Sequence, residues 1–82
     1  MIQAIKDAKE KVIGLKQTLR AIQQYRIAHV YYATDLEDHI LRKITAACQE
    51  NGISLLPTKL NQEELGRFCQ IEVGAAVVGI IK

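Results

Sequence analysis

The chain of 82 residues has two cysteines, one proline and no tryptophan, and its net charge is only +2. It has no apolar run near the roughly 18 residues that a membrane span requires, so no membrane association is expected. Cys48 and Cys69 stand far apart and outside any C-x-x-C arrangement, which argues against a metal knuckle or a disulfide framework and for buried thiols. A cysteine nucleophile would need a histidine base and an orienting group, and nothing in the sequence joins either cysteine to such a set. His29 and His39 lack partners at ligand spacing. There is no Gly-x-Gly-x-x-Gly phosphate cradle. No catalytic residues, metal or cofactor are therefore expected. Charges fall in the first helical turns, and no small-residue cleavage site follows an apolar stretch, so no secretory signal is expected and the cytoplasm is the expected location. No repeat, low-complexity run or linker interrupts residues 1–82, which reads as one domain with one core, too short for two.

What is present is an ordinary globular composition, 49% hydrophobic and 24% charged, with charge unevenly spread. Residues 1–26 carry six basic side chains (Lys6, Lys9, Lys11, Lys16, Arg20, Arg26) against Asp7 and Glu10, a local balance of +4. Residues 34–50 balance at −2, and the remainder is neutral. The basic part contains Gly14-Leu15-Lys16-Gln17-Thr18-Leu19-Arg20, preceded by β-branched Val12 and Ile13. This pattern predicts a short strand entering a glycine turn, then a helix. At about 3.6 residues per turn Lys16 and Arg20 share a face with Gln17 beside them, while Leu15, Thr18, Leu19 and Ile22 take the opposite, core side. Unpaired N–H groups of the first turn, at the positive end of the helix dipole, favour a phosphate there. The same three polar residues also fit a plain solvated helix face.

Taken in order, residues 2–11 predict a helix, Val12-Ile13 a strand, and Lys16 to Gln24 a helix. Tyr25 to Ala28 turns the chain into a second strand, His29 to Ala33, which Thr34-Asp35 ends. Asp38 to Asn51 keeps helical spacing, with Asn51-Gly52 as a left-handed stop. Ile53 to Leu56 reads as a strand stopped by Pro57. Asn61 with Glu64 predicts a capped helix through Phe68, residues 70–74 a loop, and Ala75 to Ile81 a last strand. Alternating elements with short connections predict an α/β fold, helices on both faces of a four-stranded sheet. The turn at Gly14 and the loop at residues 70–74 are its exposed site-building connections.

Gly14-Leu15-Lys16-Gln17-Thr18-Leu19-Arg20, Ala33-Thr34-Asp35, Leu65-Gly66 and Ile71-Glu72-Val73-Gly74-Ala75-Ala76 together resemble the kink-turn-binding ribosomal proteins of archaea and eukaryotes, the seven-Ae and thirty-e proteins. The likeness is closest to their small bacterial relatives of the YbxF type and runs over essentially the whole chain. It implies a three-layer α-β-α sandwich with a mixed sheet. It also implies binding of a kink-turn, an RNA bent sharply at a bulge beside sheared G·A pairs, in ribosomal RNA or a riboswitch-like element, by a monomer that stabilises the bend. Relatives read the sheared guanines with an Asn-Glu-x-x-Lys pattern; here Lys16, Gln17 and Arg20 match it, and their donors suit guanine O6 and N7. The implied RNA-binding set is Gly14, Lys16, Gln17, Thr18, Arg20, Asp35, Ile71, Glu72, Val73 and Gly74. Aliphatic Ile71 and Val73 would shelter bulged nucleotides. Charge alone, since phosphate repels a carboxylate, suggests that Glu72 instead accepts from Lys16 or Arg20 and orients them. Gln70 stands where many relatives have glycine, and Asp35-Leu36-Glu37-Asp38 lacks a proline common there.

Two simpler readings stand beside these. Ile71 and Val73 also suit a core, and Tyr25, Tyr31 and Tyr32, which can stack on bases, are explained more simply by strand and turn packing. The rival function is a ribosome-associated protein-interaction module without direct RNA readout. Steep weakening by salt would favour RNA over an apolar protein contact.

Overall fold

A computed structural model describes residues 10–82. The helix expected over residues 2–11 lies almost wholly outside them; Lys11, expected at its end, is instead drawn into a strand by pairing opposite Ile80. The elements run β1 (Lys11–Ile13), α1 (Leu15–Gln23), β2 (Ile27–Tyr32), α2 (Asp38–Glu50), β3 (Ser54–Pro57), α3 (Gln62–Phe68) and β4 (Val77–Ile81). They form one four-stranded sheet in the order β1-β4-β2-β3. It is mixed: β4 pairs antiparallel with β1 and β2, and β2 pairs parallel with β3.

Strand β2 begins at Ile27, two residues before its expected start, because Ile27 pairs opposite Ile81 before a register shift at His29. Pro57 ends β3 from inside the strand, tolerated because β3 is an edge and its missing N–H leaves no ladder bond unmade on that side. Strand β4 starts at Val77 rather than Ala75, since Ala75 and Ala76 spend their backbone groups on Gln62 and Ala33.

Alternation along the buried strands sends side chains to both faces. Val30, Val77 and Ile27 pack with Ala21 and Ile22 of α1 and Ile44 and Cys48 of α2. Tyr31, Val78 and Ile80 pack with Leu65 of α3 and with Cys69. Helices therefore cover both faces of the sheet, as the resemblance implies. Among the described residues no helix is long and apolar enough to cross a membrane.

All three helices close with one hydrogen-bond pattern. The residue after the cap is left-handed, and the residue beyond it donates back to the third-last helical carbonyl: Arg26 to Ala21 at 3.1 Å, Ile53 to Cys48 at 2.9 Å, Ile71 to Gly66 at 3.1 Å. The left-handed positions are Tyr25 (φ 58°), Gly52 (φ 65°) and Gln70 (φ 63°). Only the stop at Gly52 has the residue that suits it without a Cβ penalty.

Candidate nucleic-acid interface

Three connections meet at one end of the sheet. The Gly14 N–H donates to the Val77 carbonyl at 2.8 Å, and the Ala33 N–H donates to the Ala76 carbonyl at 2.9 Å. The turn before α1, the exit of β2 and the loop entering β4 are thus tied to consecutive residues. Val73 is four residues upstream of Val77, at most about 14 Å along the chain. The third connection is held further by Gln62, whose N–H donates to Asp35 Oδ1 at 2.9 Å and whose carbonyl accepts from the Ala75 N–H at 2.9 Å.

Gly14 has φ 103° and ψ 154°, a combination open essentially to glycine alone, while a Cβ there would meet nothing within 4 Å. Within the protein the glycine is therefore needed for backbone conformation rather than for room. It caps α1, where no side chain accepts from the first turn and no acidic residue stands in it. Lys16, Gln17 and Arg20 are exposed, with Thr18, Ala21 and Ile22 buried opposite.

Thr18 corrects the expected contact set. It is fully buried, and its methyl occupies the space a side chain on Gly79 would need. Its Oγ1 finds no hydrogen-bond partner among the described residues. Thr18 seats α1 on the sheet and offers a ligand nothing from its side chain.

Asp35 is exposed but engaged: besides its carboxylate bond, its carbonyl accepts from Gln62 Nε2 at 3.3 Å. It holds the start of α3 and, through Gln62, the loop beyond. Ile71 and Val73, expected to share one fate, part. Ile71 is half-buried against the cluster containing Leu65, because its N–H closes α3 and its side chain is drawn in with it, whereas Val73 is 71% exposed. Gly74 and Glu72 are exposed. The orienting role expected for Glu72 finds no contact: among the described residues the carboxylates that approach a basic side chain are Glu63, at Arg67, and Glu37, at the His39 ring. The loop lies close on α3 because Gly66 has no side chain; a Cβ there would overlap the Val73 carbonyl oxygen.

Sequence reasoning missed Gln62, whose link to Asp35 spans 27 positions and leaves no local spacing signal. A glycine inside a helix was the available sign of the close approach at Gly66. Tyr31 is buried and Tyr32 half-buried, but Tyr25 is 76% exposed, against the expectation that packing explains all three. Burial pushes the Cys48 thiol up, and that of Cys69 too, with Lys11 pulling the latter part of the way back; both are buried free thiols. Among the described residues no three His, Cys, Asp or Glu side chains converge to hold a metal.

The chain is 46% identical over 67 residues to an RNA-binding protein of Caldanaerobacter subterraneus, spanning 82% of this chain and 80% of that one. It is 37% identical to the RNA-binding protein YbxF of Geobacillus stearothermophilus, spanning 98% of this chain and 96% of that one. Among solved structures, the Giardia lamblia 15.5kD RNA binding protein superposes with a TM-score of 0.78 at 21% identity, covering 99% of this chain and 67% of that one, a likeness of fold. A family profile matches residues 1–82, and on that match the chain belongs to the ribosomal protein L7Ae/L30e/S12e/Gadd45 family.

Proposed function

We propose that this chain binds RNA without catalysing a reaction, and that its ligand is a kink-turn gripped at the end of the sheet where Gly14 and residues 71–74 meet. The observation that carries the reading is the Gly14-to-Val77 hydrogen bond, which ties a basic helix start without a side-chain cap to the strand that the loop carrying exposed Val73 enters. Lys16, Gln17 and Arg20 would read sheared guanines through O6 and N7. The open N–H groups of α1 would donate to a phosphate. Val73 would cover an unstacked base, with Gly74 letting the strand pass close; Asp35 and Ile71 would serve by holding the loop rather than by contact. Glu72 has no assigned part. The protein would act as a single 82-residue RNA-binding domain, a cytoplasmic monomer on ribosomal or riboswitch-like RNA, shifting the RNA toward its bent form by binding that form better.

The test compares a kink-turn RNA with the same RNA whose G·A pairs are replaced by Watson–Crick pairs. The kink-turn is expected to bind far more tightly, with affinity falling steeply as salt rises. Removing the head group of Lys16 or Gln17 is expected to cost about 1–3 kcal/mol. Equal binding of both RNAs, or full affinity in both alanine variants, contradicts the reading. The exposure of Val73 favours a second reading, a contact with a ribosomal protein. Binding indifferent to salt and independent of RNA would support it.

A further inference from the structure

Two of the three helix stops are left-handed without a glycine, Tyr25 after α1 and Gln70 after α3, and Tyr25 is the one that sets an aromatic ring on the surface. The equivalent position after α2 is Gly52, whereas after α1 a tyrosine is held left-handed at φ 58° by its own N–H to the Ile22 carbonyl and the Arg26 N–H to the Ala21 carbonyl. A Cβ in that conformation is unfavourable, and the ring is not repaid by burial, since it is 76% exposed and packs in neither core cluster. The end of the chain lies alongside, the Lys82 N–H donating to the Arg26 carbonyl at 2.8 Å.

This ring ends a continuous surface. Lys16, Arg20, Gln23 and Gln24 fall at helical spacing on the outer face of α1, all exposed, followed by exposed Tyr25 and Arg26. No acidic residue occurs from Lys11 to Thr34. Nine helical residues extend this face about 14 Å beyond the Gly14 turn. Cations and amide side chains leading to a bare aromatic ring are the chemistry that follows a nucleic-acid backbone and ends by stacking.

We infer that the RNA footprint runs the length of α1, and that Tyr25 is a stacking platform for a base or ribose at its far end, with Arg26 on the neighbouring phosphate. The inference rests on the RNA-binding reading above but concerns the end of α1 away from the Gly14 turn. The left-handed strain at Tyr25 is thereby the cost of placing a ring where a glycine would cap the helix better.

The experiment uses the full chain and two kink-turn RNAs, a short one with blunt stems just long enough to form the kink and a long one whose stems continue into single-stranded tails. Tyr25→Gly is expected to raise the thermal midpoint by on the order of 4 °C. The same variant should weaken binding of the long RNA about tenfold and leave the short RNA unchanged. Tyr25→Phe should keep parental affinity for both. Arg26→Gln should lower the salt dependence on the long RNA by about one counterion. Unchanged binding of the long RNA by Tyr25→Gly, or equal losses on both RNAs, overturns the inference and leaves the kink-turn reading standing. A change in the sedimentation of the RNA-free variant, with RNA affinity kept, also overturns it in favour of self-contact. Failure of the parent chain to bind either RNA removes both readings together.

Discussion

Helices α1 and α3 begin at the same end of the sheet and treat their first turns in opposite ways. At the start of α3 the chain satisfies its own donors: Asn61 accepts from the Glu64 N–H at 2.8 Å, Glu64 accepts from the Asn61 N–H at 2.9 Å, and Asp35 accepts from Gln62. Glu63 and Glu64 also set negative charge against the positive end of that helix. At the start of α1 there is a glycine, no side-chain acceptor, no acid, and Lys16 in the first turn. A cation there opposes the helix dipole and costs the isolated helix about 0.3–1 kcal/mol. One helix start is finished by the protein; the other is arranged for something anionic from outside.

The largest expected effect comes from making α1 resemble α3. Lys16→Glu places a carboxylate at the open helix start, which should stabilise the fold by about 0.5 kcal/mol while weakening kink-turn binding by about 3 kcal/mol, roughly a hundredfold. Denaturation and titration of the same sample would show the two changes in opposite directions; changes in the same direction would mean that Lys16 serves the fold.

Gly66→Ala comes next. Its methyl overlaps the Val73 carbonyl, so either the loop or α3 must shift. A stability loss of about 1–3 kcal/mol is expected from such overpacking, with weaker RNA binding by whatever remains folded. Equilibrium unfolding with parallel binding assays measures both, and intact affinity would separate the loop from the interface.

Asn61→Ala removes the cap of the finished helix. It should cost about 1 kcal/mol in urea unfolding and leave the affinity of the folded protein almost unchanged. A comparable loss of RNA affinity would show that the α3 start is part of the contact. Smaller still, Thr18→Val keeps the shape and removes an unpartnered hydroxyl, for an expected gain of up to about 1 kcal/mol at unchanged RNA affinity. A drop in affinity would return Thr18 to the contact set.

How much of this the sequence discloses follows from how local each feature is. The capping box of α3 and the glycine stop of α2 are legible because each is made by neighbours within a few residues. The layered fold is legible because helical and strand periods alternate along the chain. Thr18 shows two signals in conflict: periodicity puts it on the buried face, and membership of a contiguous motif puts it at the surface. Periodicity prevails, since a nine-residue helix packed on a sheet has an inside whatever its motif. The parting of Ile71 from Val73 is illegible without knowing where α3 stops, because the stop itself pulls Ile71 inward. The Asp35–Gln62 link and the bare ring of Tyr25 depend on tertiary placement and the backbone turn, which no spacing rule encodes.

Kink-turn recognition requires the Gly14 turn and the loop before β4 to act on one RNA together. Amide chemical shifts of the isotope-labelled chain, followed during titration with a kink-turn RNA, test this most directly. The prediction is that Leu15, Lys16 and Gln17 shift in step with Val73 and Gly74 and that all saturate at one equivalent. Perturbation of only one segment, or of the exposed face of α2 with both segments silent, would contradict it.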